Sequence, residues 1–347
     1  MKSMNKKILT IGIATYNAAK DIPNCLNSLL IDEVLDDIEI LVVNDGSTDN
    51  IKEVMQPYIE KYTNTIRLIN KENGGHGSTI NTTIDQANGT YMKMVDADDT
   101  VDKMGFLSLI AQLKKNEVDV AMSPYYRVNI NTHEKQLMGY LEPNRVATKE
   151  HVTTLAKIYK DLLVAMHSIT YKTSLLRNNQ YRIDEHCFYV DVEYSIYYLF
   201  GAKRIFLLRQ PVYNYMIGSA EQSVNIDNMR ARRDQHLKVT KSLIEFYEKE
   251  RKNIVPYQES FLENNISNMI LAGEYKLLMS LKSAKESEIE LLHFDKYLKQ
   301  KSPILYKKVV ILNTSKKIRL LKLMRKLNFH GYKIVHRIFK KSLTEHL

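Results

Sequence analysis

The sequence is poor in the features that mark several protein classes. Its 347 residues hold two cysteines, Cys25 and Cys187, and neither belongs to a CxxC or Cys/His cluster. That excludes a disulfide framework or a zinc site of ordinary spacing and fits a reducing cytosol. No apolar run approaches the roughly 20 residues that span a bilayer. The opening MKSMNKKILTIGIATYN resembles a leader only superficially: its apolar part carries Thr10 and Gly12 and runs into polar residues with no small-residue cleavage site. It reads as a first strand. Internal repeats and low-complexity linkers are absent. Acids are scarce in one region: from Lys316 onward there are ten Lys or Arg and one acid, Glu345. That segment carries +9 of the formal net charge of +10, so the rest of the chain is close to neutral.

What is present is ordinary for a globular protein, with 44% hydrophobic and 26% charged residues. The length suits one large domain with an extension, or two domains. Apolar segments at Ile8–Ala14, Ile38–Val43, Ile66–Ile69 and Tyr91–Val95 read as strands, separated by stretches whose apolar residues recur at helical spacing. Ile22, Cys25, Leu26, Leu29 and Leu30 trace one such face; Ile51, Val54, Met55, Tyr58, Ile59 and Tyr62 trace another. This alternation predicts a mainly parallel sheet covered by helices on both faces. From about 125 to 225 the pattern is mixed, and from about Met229 it is helical, with breaks at Pro256 and Pro303. We place the domain boundary between 225 and 226.

Three polar turns follow strands: NDGSTD, NGGHGS and DADD. Ligands of parallel sheets bind beyond the carboxyl ends of the strands, so these turns should gather along one rim. Asp45, beside Gly46 and the Ser47, Thr48 and Asp49 cap candidates, could accept hydrogen bonds from a nucleobase, or simply form a turn and helix cap. NGGHGST offers backbone amides at a helix start, which suits phosphate, although Gly-rich turns are common there. In DADD, Asp96, Asp98 and Asp99 crowd like charges that a divalent cation would neutralise. The alternative is a solvated turn followed by a cap.

Four segments, ATYNAAKDIPNCLNSLL, EILVVNDGSTDN, NGGHGSTIN and GTYMKMVDADD, occur in the order and spacing of family-2 glycosyltransferases. The chain resembles that family closely over about residues 7–125 and more loosely to about 225. The resemblance implies a GT-A fold, meaning a mixed, mainly parallel α/β sheet, here with a helical C-terminal extension. It implies a nucleotide-sugar donor, most often a UDP-sugar, held with Mn²⁺ or Mg²⁺. Thr15 and Asn17 would then flank the nucleotide, Asp45 would meet the base, and Asn73, Gly74 and His76 would lie near the ribose or diphosphate. Asp96 and Asp98 match the family's DxD motif, with Asp98 the leading metal contact and Asp99 nearby. His76 departs from the small or aliphatic residue usual after NGG.

Inverting transfer needs a base for the acceptor hydroxyl. The family places an Asp, commonly after Glu, before a helix, and Asp191 in HCFYVDVEYSIYYLF takes that position. Val190 stands where the Glu would be; Glu193, Asp184 and Glu185 are the other candidates. YNYMIGSAEQSVN resembles a loop that closes over the diphosphate; it lacks the usual Arg, leaving Gln222 and Ser223. The activity implied is transfer to a hydroxyl of a glycan or lipid-linked acceptor, in assembly of a surface polysaccharide or related glycan.

Beyond Lys316, Leu320, Leu323, Met324 and Leu327 align against Arg319, Lys322 and Lys326, and the pattern restarts after Gly331. Basic amphipathic helices suit an anionic membrane surface, which would place the protein peripherally at the inner face of the membrane. Equally, the apolar face could pack on the rest of the chain or on another subunit. Nucleic-acid binding through this segment, or a catalytically inactive scaffold, are competing readings, but few aromatics and a near-neutral remainder argue against nucleic acid.

Overall fold

The computed structural model describes residues 6–218, 225–311 and 316–337, without the side chains of 316–320. The chain divides into two compact units, Met1–Ser219 and Ala220–Leu347.

The first unit is built on an eight-stranded sheet. Its strands are β1 (Leu9–Thr15), β2 (Ile38–Asp45), β3 (Ile66–Lys71), β4 (Tyr91–Asp96), β6 (Val120–Met122), β9 (His151–Thr153), β10 (Ile169–Lys172) and β11 (Ile205–Leu207). The order is β3-β2-β1-β4-β10-β6-β11-β9. The first four run parallel, while β10 runs antiparallel to both β4 and β6. A smaller sheet, β5-β12-β7-β8, comprises β5 (Thr100–Val101), β7 (Tyr125–Asn129), β8 (Lys135–Met138) and β12 (Tyr213–Ile217).

β2 is buried along its whole length because helices cover both faces of the sheet, which is why it reads as a near-continuous apolar run. The covering helices are α1 (Ile22–Leu29), α2 (Ile51–Lys61), α3 (His76–Gln86) and α4 (Lys103–Lys115). Then come the short α5 (Leu155–Ile158) and α6 (Thr173–Arg177), and α7 (Asp191–Leu199). Of the α1 face expected from spacing, Ile22, Cys25, Leu26 and Leu29 are buried, while Leu30 lies just past the helix end and is half-buried. Gly12 lets α3 approach the sheet, since a Cβ there would stand 2.4 Å from the Thr83 methyl and 2.8 Å from Met94 Sδ.

The amino ends of the strands are tied by Glu39, only 5% exposed. Its carboxylate accepts hydrogen bonds from Thr10 Oγ1 at 2.7 Å, Arg67 Nη2 at 2.9 Å, Asn88 N at 2.8 Å and Asn88 Nδ2 at 2.7 Å. Burial pushes its pKa up, but the Asn88, Thr10 and Arg67 donors outweigh this and hold it below the ordinary value.

The second unit is helical, with Arg233–Glu250, Pro256–Met269, Ala284–Lys301 and Pro303–Lys308 as its main segments. The basic segment folds onto these helices. Leu321, Met324, Phe329, Tyr332 and Val335 are buried, whereas Leu323 and Leu327 are about half exposed at 50% and 46%. The apolar stripe expected from spacing, with Leu323, Met324 and Leu327 together, is therefore split. Arg325 sets the rotation: Nε donates to Asp295 Oδ1 at 2.6 Å, Nη1 to the Tyr306 carbonyl at 2.8 Å and Nη2 to Tyr275 Oη at 2.6 Å. Its guanidinium also stacks 4.0 Å from the Tyr306 ring centroid. No described helix is long and apolar enough to cross a membrane.

Because the native pKa of Glu39 is depressed, its stabilisation is present above the unfolded value of about 4.3 and is lost as pH falls through the native one. Glu39→Gln should cost ~1–3 kcal/mol at neutral pH, with the difference from wild type shrinking in acid. Urea denaturation at several pH values measures both effects.

Candidate active site

The turns after β1 and β2 are stitched together by side chains. Asn17, at φ 51°, accepts from Thr48 N at 2.8 Å through Oδ1, and its own amide donates to Ser47 Oγ at 3.0 Å. Ala19 N donates to Asp49 Oδ2 at 2.8 Å. Thr15 is buried at the end of β1, while Asn17 is exposed beside it.

Asp45 closes β2 and is 3% exposed. Oδ1 accepts from Lys71 Nζ at 2.7 Å, Gly74 N at 2.9 Å and Ser78 Oγ at 3.2 Å; Oδ2 accepts from Gly75 N at 2.8 Å. Asn73 Nδ2 donates back to the Asp45 carbonyl at 2.9 Å. The Gly-rich turn thus differs from the open phosphate cradle its composition suggests: the amides of Gly74 and Gly75 point at a carboxylate of the chain itself. The turn also receives the segment leading to α7. A Cβ on Gly77 would stand 1.9 Å from the Asp184 carbonyl oxygen, and one on Gly75, at φ 81°, would stand 3.2 Å from His186 N. Asn81 completes this docking, donating to the Ile183 carbonyl at 2.9 Å and to Glu185 Oε1 at 3.0 Å.

The three aspartates of DADD take three different positions. Asp98 is exposed, Asp96 half-buried and Asp99 1% exposed. Asp99 turns inward because Tyr213 Oη donates to its Oδ2 at 2.5 Å and Met216 N to its Oδ1 at 2.7 Å. The same Tyr213 hydroxyl accepts from Asp96 N at 3.1 Å, so β12 holds the turn at two points. Although Asp98 is exposed, partial desolvation by the crowded turn and then the Asp96 charge push it up to about 6, and burial with its two neighbours raises Asp99 well above the carboxylate range. Burial also works upward on Asp96, but His76 and His167 outweigh it and bring that group down.

Two histidines face this acidic turn. His76, the first residue of α3, places Nε2 3.3 Å from Asp96 Oδ1. Burial lowers its basicity, but Asp96, then Asp191 and Asp45, raise it above the ordinary value. His167 sits in a helical turn, Met166–Ser168, ahead of β10. Its ring is packed among Tyr215 at 4.4 Å, Tyr213 at 4.9 Å and Tyr125 at 5.0 Å between centroids. Lys93, fully buried and pushed down to about 7 by that burial, donates to the His167 carbonyl at 2.8 Å. Burial brings His167 itself down to about 4, although Asp96 works the other way, and its Nδ1 is buried without a hydrogen-bond partner.

Asp96, Asp99 and His167 each bring a ligand atom within 4.8 Å of the other two. A histidine and two carboxylates, one of them held well above its ordinary pKa by burial and then by like charge, form a donor set that suits a divalent cation. The residues fit such an ion. The set overlaps the expected Asp96, Asp98 and Asp99 but replaces the outward Asp98 with a histidine. No motif spacing links His167 to DADD, because the antiparallel reversal at β10 brings them together.

Asp191 opens α7 and is half-buried. Burial raises its pKa, His76 opposes this and Asp96 adds to it, so the three groups share one electrostatic environment. Val190 is fully buried, a site that would not tolerate a charged Glu without a partner. Glu193 is also fully buried and accepts from Asp184 N at 2.9 Å and Tyr197 Oη at 3.0 Å, which commits it to holding the loop. Gln222 and Ser223 lie outside the described residues.

Residues 10–172 match the family model described as glycosyl transferase family 2. The chain is 35% identical over 150 residues to the uncharacterized glycosyltransferase EpsJ of Bacillus subtilis, covering 43% of each chain. It thus spans less than half the length of that relative. The S. aureus TarS structure of residues 1–349 superposes with a TM-score of 0.66 at 20% identity, over 98% of this chain and 92% of that one; TarS has also been solved with UDP and with UDP-GlcNAc. A mannosyltransferase from Pyrobaculum calidifontis, solved with GDP-Man and Mn²⁺, superposes with a TM-score of 0.51 at 15% identity, over 97% of this chain and 88% of that one. The fold is GT-A-like, and residues 10–172, a little under half of the chain, form a glycosyl transferase family 2 segment.

Proposed function

We propose that the protein transfers a sugar, with inversion, from a UDP-sugar to a hydroxyl of a glycan or lipid-linked acceptor in assembly of a surface polysaccharide or related glycan. The observation that carries this reading is the acidic turn itself: Asp96 and Asp99 with His167 form a set that suits a cation, His76 stands 3.3 Å from Asp96, and Asp191 lies in the same electrostatic field. The UDP and UDP-GlcNAc complexes of TarS support the choice of donor, and the Mn²⁺ complex of the mannosyltransferase supports the metal.

Thr15 and Asn17, on the exposed edge beside the NDGSTD turn, would flank the nucleotide. Asp45, with Asn73 and Gly74, would keep that edge in shape, its Oδ2 retaining one acceptor site toward the base. Asp96, Asp99 and His167 would hold Mn²⁺ or Mg²⁺, with Asp98 reaching it from the solvent side. A bound cation would supply charge neutralisation for the departing diphosphate. Asp191 takes the proton from the acceptor hydroxyl as that oxygen bonds to the anomeric carbon, and the electron pair of the breaking bond leaves with the UDP oxygen. Burial helps Asp191 in this role by raising its affinity for the proton. His76, more basic than an ordinary histidine, would place a positive charge between Asp96 and the diphosphate.

Asp191→Asn should leave calorimetric UDP binding intact and lower transfer, read as UDP release, on the order of a thousandfold. Full transfer by this variant would remove Asp191 as the base. His167→Gln should weaken Mn²⁺ binding by about tenfold or more with an unchanged circular dichroism spectrum. Comparison with Asp98→Asn in the same titration shows which of the two the ion depends on. Titration of UDP with Mn²⁺ and then with EDTA should show binding that the chelator abolishes; metal-independent binding would count against the site.

A further inference from the structure

Among the described residues of the second unit, the last two helical segments, Lys316–Lys326 and 332–337, pack against its core on one side only. Inward, Leu321, Met324, Phe329, Tyr332, Val335 and His336 are buried. Tyr332 Oη donates to the Met279 carbonyl at 2.9 Å, and His336 Nε2 lies 2.6 Å from the Leu281 carbonyl oxygen. Together with the Arg325–Asp295 pair, these contacts hold both segments in place. Outward, Lys322 and Lys326 form one exposed row and Leu323 and Leu327 an adjacent one, each at four-residue spacing. The second segment repeats the arrangement with exposed Lys333, Ile334 and Arg337. Ile334 is 72% exposed, and the four basic residues make no ion pair among the described residues. No Asp or Glu occurs between Asp295 and Glu345.

Leucine and isoleucine left in water beside unpaired lysines call for a partner that offers negative charge and an apolar layer at once. A bilayer with anionic headgroups does so. Leucine and isoleucine tips enter the acyl boundary while lysine stems lie along it and their ammonium groups stay at phosphate level. A soluble polyanion would meet the lysines but give the apolar residues nowhere to go. We propose that this outward face of the second unit, formed by Lys322, Leu323, Lys326, Leu327, Lys333, Ile334 and Arg337, docks the protein on an anionic membrane surface. The docking residues are those the fold leaves outside, and the inward set stays packed. The face therefore acts as a rigid pad and not as a helix that must unfold from the protein to bind. It does not depend on the transfer chemistry, and UDP binding in free solution reports on that chemistry separately.

The test is cosedimentation of the full chain with phosphatidylcholine vesicles, with and without about one third phosphatidylglycerol. Binding is expected to the anionic vesicles alone and should fall with added salt. Lys322→Gln, Lys326→Gln and Lys333→Gln should each weaken partitioning about fivefold. A triple variant, Leu323→Ser, Leu327→Ser and Ile334→Ser, keeps every charge and should also lose binding, with calorimetric UDP binding unchanged as the check on folding. Failure of the wild type to bind anionic vesicles overturns the proposal. So does binding that the lysine variants abolish but the apolar triple variant leaves intact, since that is the behaviour of a patch that merely adsorbs polyanions.

Discussion

The buried carboxylate of Asp45 is the constraint on which the rim of the first unit depends. A charge this deep must be satisfied several times over, and here four donors from Lys71, Gly74, Gly75 and Ser78 do so. Meeting that demand fixes the path of the Gly-rich turn, and the path of the turn decides where α3 begins. The start of α3 positions His76 against Asp96. Because the turn carries glycine at 75 and 77, the segment before α7 can lie against it, and that contact delivers Asp191 to the same place. One ion-pairing requirement at the end of β2 thus propagates through backbone geometry to two groups far along the chain.

The acidic turn follows a second logic, in which like charges are separated by giving each a different environment. Asp99 is drawn inward by Tyr213 and Met216, Asp98 is left toward solvent, and Asp96 is paired with His76. The cost of this arrangement is visible in the raised proton affinity of Asp98 and Asp99. Such a site concentrates charge that a cation would relieve, and His167 brings a ring nitrogen within 4.8 Å of ligand atoms on Asp96 and Asp99.

In the second unit, Arg325 does what Asp45 does in the first. A guanidinium held by Asp295, Tyr275 and Tyr306 sets the rotation of a helix whose apolar residues alone would not choose a face. The result is a surface in which leucine and lysine are exposed together because both have been turned away from the core.

The sequence by itself determined the strand and helix alternation of the first unit, the buried face of α1 and the gathering of three polar turns at the carboxyl ends of the strands. These follow from local periodicity and from the short range of turn chemistry, which a single segment carries within itself. Only the tertiary structure decided which carboxylates face outward and which are spent as scaffold. Asp99 depends on Tyr213 and Met216, Glu193 on Asp184 and Tyr197, and His167 reaches the acidic turn through the reversal at β10. The split of the basic segment into an inward and an outward face was likewise decided at Arg325. Periodicity reports that a face is apolar, but the partner that buries it, or the charge that rotates it, comes from residues distant in the chain. Their approach is set by packing and not by spacing.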